Sequence, residues 1–166
     1  MIAIRHISTD DPLFNQACRL RDEALLGPLG LDLETFRTHE PGAEERAEHY
    51  VAILDHPHGP RVVACAMLVP HEPDPSSGRV MQVVVDPQRQ GEGIGRRLLA
   101  TIESRAFGDL ALTQLICDAN FDAVGFYESL GWILDGNEYT RAGIPHKGMV
   151  VRAPRPASGS GPRPIP

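Results

Sequence analysis

Three glycines at alternate positions, Gly91, Gly93 and Gly95, separate a β-branched run from an amphipathic stretch in Val83-Val84-Val85-Asp86-Pro87-Gln88-Arg89-Gln90-Gly91-Glu92-Gly93-Ile94-Gly95-Arg96-Arg97-Leu98-Leu99. Glycines at a helix start let the backbone approach an anion closely, and the unpaired N–H groups of the first turn supply its hydrogen bonds. Arg96 and Arg97 strengthen the case. Helix N-termini ordinarily attract Asp and Glu because the macrodipole is positive there, and an anionic ligand reverses that preference. The pattern predicts a phosphate-binding turn. It is neither of two familiar glycine loops. A dinucleotide fingerprint counted from Gly91 would need glycine where Arg96 stands, and the Gly-Lys-Ser/Thr of a triphosphate loop is absent.

The elements that must position this turn follow from spacing. Ile2–Ile7 alternates as a strand. Asp10 or Asp11 can cap a helix over 12–26, with Phe14, Ala17, Cys18, Ala24 and Leu25 inward, and Gly27-Pro28-Leu29-Gly30 ends it. A polar helical region covers parts of 33–48, broken at Pro41-Gly42. Strands over 50–54 and 61–68 flank the turn residues His56-Pro57-His58-Gly59-Pro60, and a third strand over 79–85 feeds the glycine turn. The helix from Gly93 places Ile94, Leu98, Leu99 and Ile102 on one face. A strand over 112–117 follows, so strand, helix and strand form a parallel pair with a crossover. Ala123, Phe126, Tyr127 and Leu130 then repeat at helical spacing to Gly131, and strands over 132–139 and 146–151 close the chain.

The chain has 166 residues, 42% hydrophobic and 23% charged, which suits one globular domain. Its net charge of −6 argues against nucleic acid as a partner. No apolar run approaches a membrane span and residues 1–5 lack a secretion-signal layout, so neither a membrane nor export is expected. Cys18, Cys65 and Cys117 are scattered without metal spacing, which points to a reducing cytoplasm and to no metal. From Pro154 the chain is Pro, Gly, Ser and Arg with one late Ile165, the composition of a flexible tail.

Gln90-x-x-Gly93-x-Gly95 after a Val-rich strand ending in Asp-Pro resembles the pyrophosphate motif of the GNAT superfamily of acetyl-CoA-dependent N-acetyltransferases. A second segment, Asn120-x-x-Ala123-x-x-Phe126-Tyr127-Glu128-x-Leu130-Gly131-Trp132, is similar to the GNAT stretch in which an Asn and a Tyr flank the cofactor thiol. The run from Glu138 through Gly143-Ile144-Pro145-His146 to Met149, with Leu20-Arg21 in the first helix, looks like the ElaA-like branch. The resemblance implies an α+β (mixed α/β) GNAT fold: a central mixed, mostly antiparallel twisted sheet of six to seven strands with helices on both faces. It assigns residues 1–152 to the acetyltransferase domain and 153–166 to the flexible tail.

Acetyl-CoA is the implied cofactor. The backbone of Val83, Val84 and Val85 would hold its pantetheine amides and acetyl carbonyl. Gln90, Gly91, Glu92, Gly93, Ile94, Gly95 and Arg96 would wrap its pyrophosphate, and Arg89 and Arg97 are candidates for its ribose phosphate. Asn120 and Tyr127 would flank its sulfur. A phenol, with an ordinary pKa near 10, suits protonation of a departing thiolate, which makes Tyr127 the candidate general acid. The Glu that many family members carry five residues before the Asn is Leu115 here, so a base at that position is absent. His146 and Asp118 are the candidate bases, with a water chain as a further option.

Gly125 is costly in a helix and calls for a close ligand or strand. Arg21 shares a helix face with Phe14, Cys18 and Leu25, where an unpaired charge is expensive. Either it meets an acidic group on the substrate or it pairs with an internal carboxylate, and the internal pair is favoured. The expected activity is direct transfer of acetyl from acetyl-CoA to a primary amine, on a small molecule or a protein. The alternative is a non-catalytic acetyl-CoA or CoA sensor. A homodimer stays open.

Overall fold

The computed structural model describes residues 1–155. Among them, seven strands form one sheet in the order β1-β2-β3-β4-β5-β7-β6. The strands are β1 (Ile2–Ile7), β2 (Glu48–Leu54), β3 (Arg61–Pro70), β4 (Ser77–Val85), β5 (Gln114–Asn120), β6 (Ile133–Arg141) and β7 (Ile144–Arg152). Only the β4–β5 pair is parallel, and every other neighbouring pair is antiparallel. This is the expected mixed sheet. Most of the expected tail, residues 156–166, lies outside the described residues.

Helices cover both faces. α1 (Pro12–Leu20) is capped by Asp11, whose carboxylate accepts from Leu13 N, and it seats Leu13, Phe14 and Ala17 against Val51, Ile53 and Cys65. The opposite face carries α4 (Ile94–Glu103), whose Ile94, Leu98, Leu99 and Ile102 are buried with Leu115 and Trp132. Each such aliphatic side chain contributes about 1.5–3 kcal/mol on burial. α2 (Leu33–His39) and α3 (Ala43–Arg46) complete the first face, and α5 (Val124–Ser129) the second.

Several boundaries differ from expectation for local reasons. The helix expected over 12–26 widens into a π-helical segment, Arg21–Leu26, starting at the residue whose guanidinium turns inward. β5 starts two residues later than expected, because Leu112 N is bonded to Ala106 O at the end of the preceding helical segment, and it runs on to Asn120. Asn120 then caps a 3₁₀ turn, Phe121–Ala123, which shortens α5. The turn between the two closing strands, expected within 140–145, falls at Ala142-Gly143, with φ +49° and +78°, and Arg141 pairs with Ile144 across it. Two left-handed central residues make a hairpin turn that follows the strand twist. Ile144 and Pro145 therefore belong to β7.

The sheet forks at its centre. β4 and β5 pair at only three positions, Ser77↔Gln114, Gly78↔Leu115 and Arg79↔Ile116. Beyond Arg79, β4 stays with β3 and β5 stays with β7 as far as Asn120↔His146. A bulge causes the divergence. On β3, Cys65 and Met67 are two residues apart, but their partners Val84 and Met81 are three apart, and Gln82 takes up the excess at φ +54°. An extra residue bends a strand and increases its twist.

Candidate active site

The fork opens into a cleft of about 790 Å³. β4 contributes Gln82 and Val83, β5 contributes Cys117, Asp118 and Asn120, and Ala123, Tyr127 and His146 also border it. The π-helical segment, α2 and the β6–β7 hairpin form the remaining wall. Val83, Asn120, Tyr127 and His146 thus converge on one space. Val84 faces the α1 side of the sheet, Val85 packs with the α4 cluster, and neither borders the cleft with its side chain.

Tyr127 is buried, at 6% exposure, between Phe126 and Trp132, with ring centroids 5.2 Å and 5.1 Å away. Burial, with the neighbouring Cys117 thiol adding to it, pushes the Tyr127 phenol well above its ordinary value. The hydroxyl is therefore protonated at neutral pH and able to donate. Burial likewise raises the Cys117 thiol, so this sulfur is held as an inert thiol. Asn120 Oδ1 accepts from Ala123 N at 3.0 Å, an engagement that fixes the amide at the cleft edge. His146 Nδ1 lies 2.8 Å from Ile144 O. A carbonyl only accepts, so Nδ1 carries a hydrogen, and in the neutral ring that leaves the lone pair on Nε2. Asp118 is held by Arg141, whose Nη2 is 2.6 Å from its carboxylate.

At the start of α4, Gly91 and Gly93 sit at φ +84° and +80° with open space where a Cβ would stand. Gly93 is the N-cap and offers no side chain to the first-turn amides of α4. A cradle that a Cβ would fill, beside free amide donors and the positive end of a helix, fits a pyrophosphate. Gly95 has a different reason for being glycine. Its Cβ would stand 3.0 Å from Phe126 Cζ and 3.1 Å from Cε2, so a side chain there would crowd that ring. Ile94 is buried, and only its backbone faces the turn.

The polar side chains of this turn have partners within the protein. Gln90 Nε2 donates to Val85 O at 3.4 Å, and Arg89 lies 3.7 Å from Glu92. Arg96 reaches Ser129 O at 3.4 Å and Arg97 donates to Ile2 O at 2.9 Å. The first-turn arginines are thus tied to backbone carbonyls. Gly125, expected to have a close neighbour, has nothing beyond its chain neighbours and its own helix backbone within 4 Å of its Cβ position among the described residues.

Arg21 requires a correction. It is 2% exposed, does not border the cleft, and pairs with Glu44 at 3.1 Å. The substrate-binding role offered to it gives way to the internal ion pair. Its Nε donates to Gln82 Oε1 at 3.0 Å. Gln82, Arg79, Glu40 and Arg141 border the cleft without having been singled out as site residues from sequence. Arg141 joins Glu40 at 2.7 Å, and Arg79 lies 3.7 Å from the same carboxylate. Gln82 could have been noticed as the lone polar residue in Val80-Met81-Gln82-Val83-Val84-Val85. The Arg141 ties join residues 23 or more positions apart and left no local signal.

A family profile described as an acetyltransferase (GNAT) domain matches residues 64–153. The chain belongs to the GNAT acetyltransferase family. It is an acyltransferase, and acetyl-CoA is its cofactor. Solved structures share the fold at low identity. The ribosomal-protein-S18-alanine N-acetyltransferase of Escherichia coli is 19% identical with a TM-score of 0.70, over 96% of this chain and 98% of that one. ElaA of Escherichia coli is 18% identical with a TM-score of 0.69, over 90% and 99%. An aminoglycoside 6′-N-acetyltransferase complexed with coenzyme A is 18% identical with a TM-score of 0.70, over 93% and 99%. No helix among the described residues is long and apolar enough to cross a membrane.

Proposed function

We propose that this protein acetylates a primary amine by direct attack, with Tyr127 as general acid and His146 as general base. The convergence of Tyr127 and His146 on the cleft at the fork carries the reading. Acetyl-CoA supplies an activated acetyl thioester. The backbone of Val83 to Val85, which has no β5 partner beyond the fork, offers amide donors to the pantetheine and to the thioester oxygen. The Gln90–Arg96 turn holds the pyrophosphate through its backbone, with Gly91 and Gly93 leaving room for it. Asn120 steadies the sulfur end beside Tyr127, whose phenol donates its proton to the leaving thiolate.

His146 Nε2 takes the proton that the acceptor's ammonium must lose. The raised Cys117 thiol supports transfer without an acyl-enzyme. The Gly143-Ile144-Pro145-His146 run, with a neighbour of the same fold in ElaA, supports placing the chain in the ElaA-like branch. The acceptor is an amine on a small molecule or a protein. Three free thiols fit a cytoplasmic location, and residues 1–152 act as one catalytic domain.

The test is acetyl-CoA-dependent thiol release over a panel of primary amines with Tyr127→Phe and His146→Gln. Tyr127→Phe is expected to lower kcat by about 10²–10⁴-fold while calorimetric affinity for acetyl-CoA stays within a few-fold. His146→Gln should lower kcat/KM for the amine at least about tenfold, with KM for acetyl-CoA unchanged. A Tyr127→Phe enzyme as fast as the wild type refutes the acid assignment.

A further inference from the structure

Gln82 stands at an unusual place. A non-glycine residue at φ +54° is uncommon and carries local strain of about 1–3 kcal/mol. Glycine would hold the same bulge without strain, so the side chain is the reason for glutamine. A buried arginine also fixes how that side chain points. Arg21 Nε donates to Gln82 Oε1 at 3.0 Å, and a guanidinium has only donors. The amide oxygen must therefore face Arg21. Glu44 anchors Arg21 from behind at 3.1 Å, and Arg21 lies 5.0 Å over the Phe36 ring. Arg21 is outside the cleft while Gln82 borders it, so the Nε2 amino group, with two hydrogens, is presented to the cleft. It has no hydrogen-bond partner among the described residues.

From this arrangement we infer that Gln82 is an acceptor-binding residue, and that the acceptor carries a neutral carbonyl oxygen next to its amine. The inference rests on the N-acetyltransferase reading above. Gln82 Nε2 is a donor on the α1–α2 side of the sheet, the side that Arg21 occupies, and Tyr127 lies on the other. An oxygen acceptor on the ligand satisfies it. A carboxylate is the poorer match. The cleft holds three carboxylates, Glu40, Asp118 and Glu138, against two guanidiniums, Arg79 and Arg141. Both guanidiniums already face Glu40, and Arg141 also holds Asp118. Among the described residues lining the cleft, a further anion would meet no guanidinium free of a carboxylate. Beside Gln82 the wall is apolar, formed by Leu25, Leu29, Leu31, Phe36 and Met81. The acceptor class is an amine with an apolar body and an adjacent amide-type carbonyl.

The probes are leucinamide, isopentylamine and leucine, which share an apolar body and differ by a neutral carbonyl, its absence and a carboxylate. Wild-type enzyme should show its highest kcat/KM with leucinamide. In Gln82→Glu, which keeps an oxygen toward Arg21 but offers no amide hydrogens, the leucinamide-to-isopentylamine ratio should fall about 3- to 10-fold, the value of one hydrogen bond. KM for acetyl-CoA should not move. Comparing ratios between the two proteins cancels the different basicities of the amines. Gln82→Gly relieves the positive φ, keeps the fold, and should lose the same preference.

Calorimetry on CoA-loaded protein reads the assignment without turnover: leucinamide binds more tightly than isopentylamine to wild type, and the two bind alike to Gln82→Glu. If no amine is acetylated but this binding difference is present, the transferase reading fails and the Gln82 site stands. If amines are acetylated but the ratios agree within about twofold in both proteins, the Gln82 assignment is overturned. Equal binding of the two amines by wild type, or binding of neither, overturns it as well.

Discussion

Replacing Glu44 by alanine removes the carboxylate that balances a guanidinium with almost no contact with water. Arg21 is 2% exposed and the Glu44 side chain 10%, with Nη2 and Oε1 3.1 Å apart. Breaking a buried pair from one side costs about 3–5 kcal/mol, because the remaining charge is left without compensation. The Phe36 ring at 5.0 Å and the Gln82 oxygen at 3.0 Å still face Arg21, which places the expected loss near the lower end. About 3 kcal/mol corresponds to a fall in Tm of about 6–12 °C for a chain of this size. Urea unfolding of wild type and Glu44→Ala reads the difference directly.

The pH dependence gives a second arm. Burial opposes ionisation of Glu44, but the hydrogen bond from Arg37 and the charges of Arg21 and Arg37 outweigh it and hold the carboxyl below its ordinary value. A folded-state value below the unfolded one makes the contribution complete above the ordinary carboxylate range. It is lost as pH falls through the lower, folded value. The gap between wild type and Glu44→Ala should therefore narrow on acidification. A double variant, Arg21→Met with Glu44→Leu, removes both charges and should recover most of the stability. An alanine variant within about 1 kcal/mol of wild type at neutral pH would refute the claim that this pair is desolvated.

Two further outcomes follow from glycines. Gly93→Glu puts a side chain and a negative charge into the open cradle at φ +80°, and calorimetry should show acetyl-CoA affinity lost while the fold persists by circular dichroism. Gly78→Ala places a Cβ 2.9 Å from Leu115 Cδ2 and 3.0 Å from Leu112 Cδ1 and Leu68 Cδ1. Overpacking among these buried leucines should cost about 1–3 kcal/mol in urea unfolding.

Most of the fold was legible because its signals are local. The period of Ile94, Leu98, Leu99 and Ile102 marked α4, and the alternation of Ile2–Ile7 marked β1. Element ends were less legible where a side chain decides them. Asn120 captures Ala123 N and so starts a turn before α5, while Ala142 adopts a left-handed conformation that its residue type does not advertise. At the glycine turn, the pattern marked three glycines but not their separate reasons. Gly91 and Gly93 leave space, whereas Gly95 makes room for Phe126, some thirty residues further along. Arg21 and Gln82 belong to different elements, and no local window shows that one orients the other. Their partnership arises only when the bulge turns Gln82 toward α1.

The fork also divides the molecule mechanically. β1 to β4 form an antiparallel part of the sheet in chain order, and β5, β7 and β6 form its other part. Three residue rows between β4 and β5, with α4 and its core bridging above them, join the two. The β2–β3, β3–β4 and β6–β7 hairpins close over short loops, while the seam between the two halves is brief. A ligand lying along the open edges of β4 and β5 would act as a splint across that seam. Its binding energy then adds to folding stability by mass action, so resistance to unfolding rises with the logarithm of the acetyl-CoA concentration once that exceeds Kd. Free CoA carries the same pyrophosphate and pantetheine and would brace the fold in the same way, so the gain follows the pool of both.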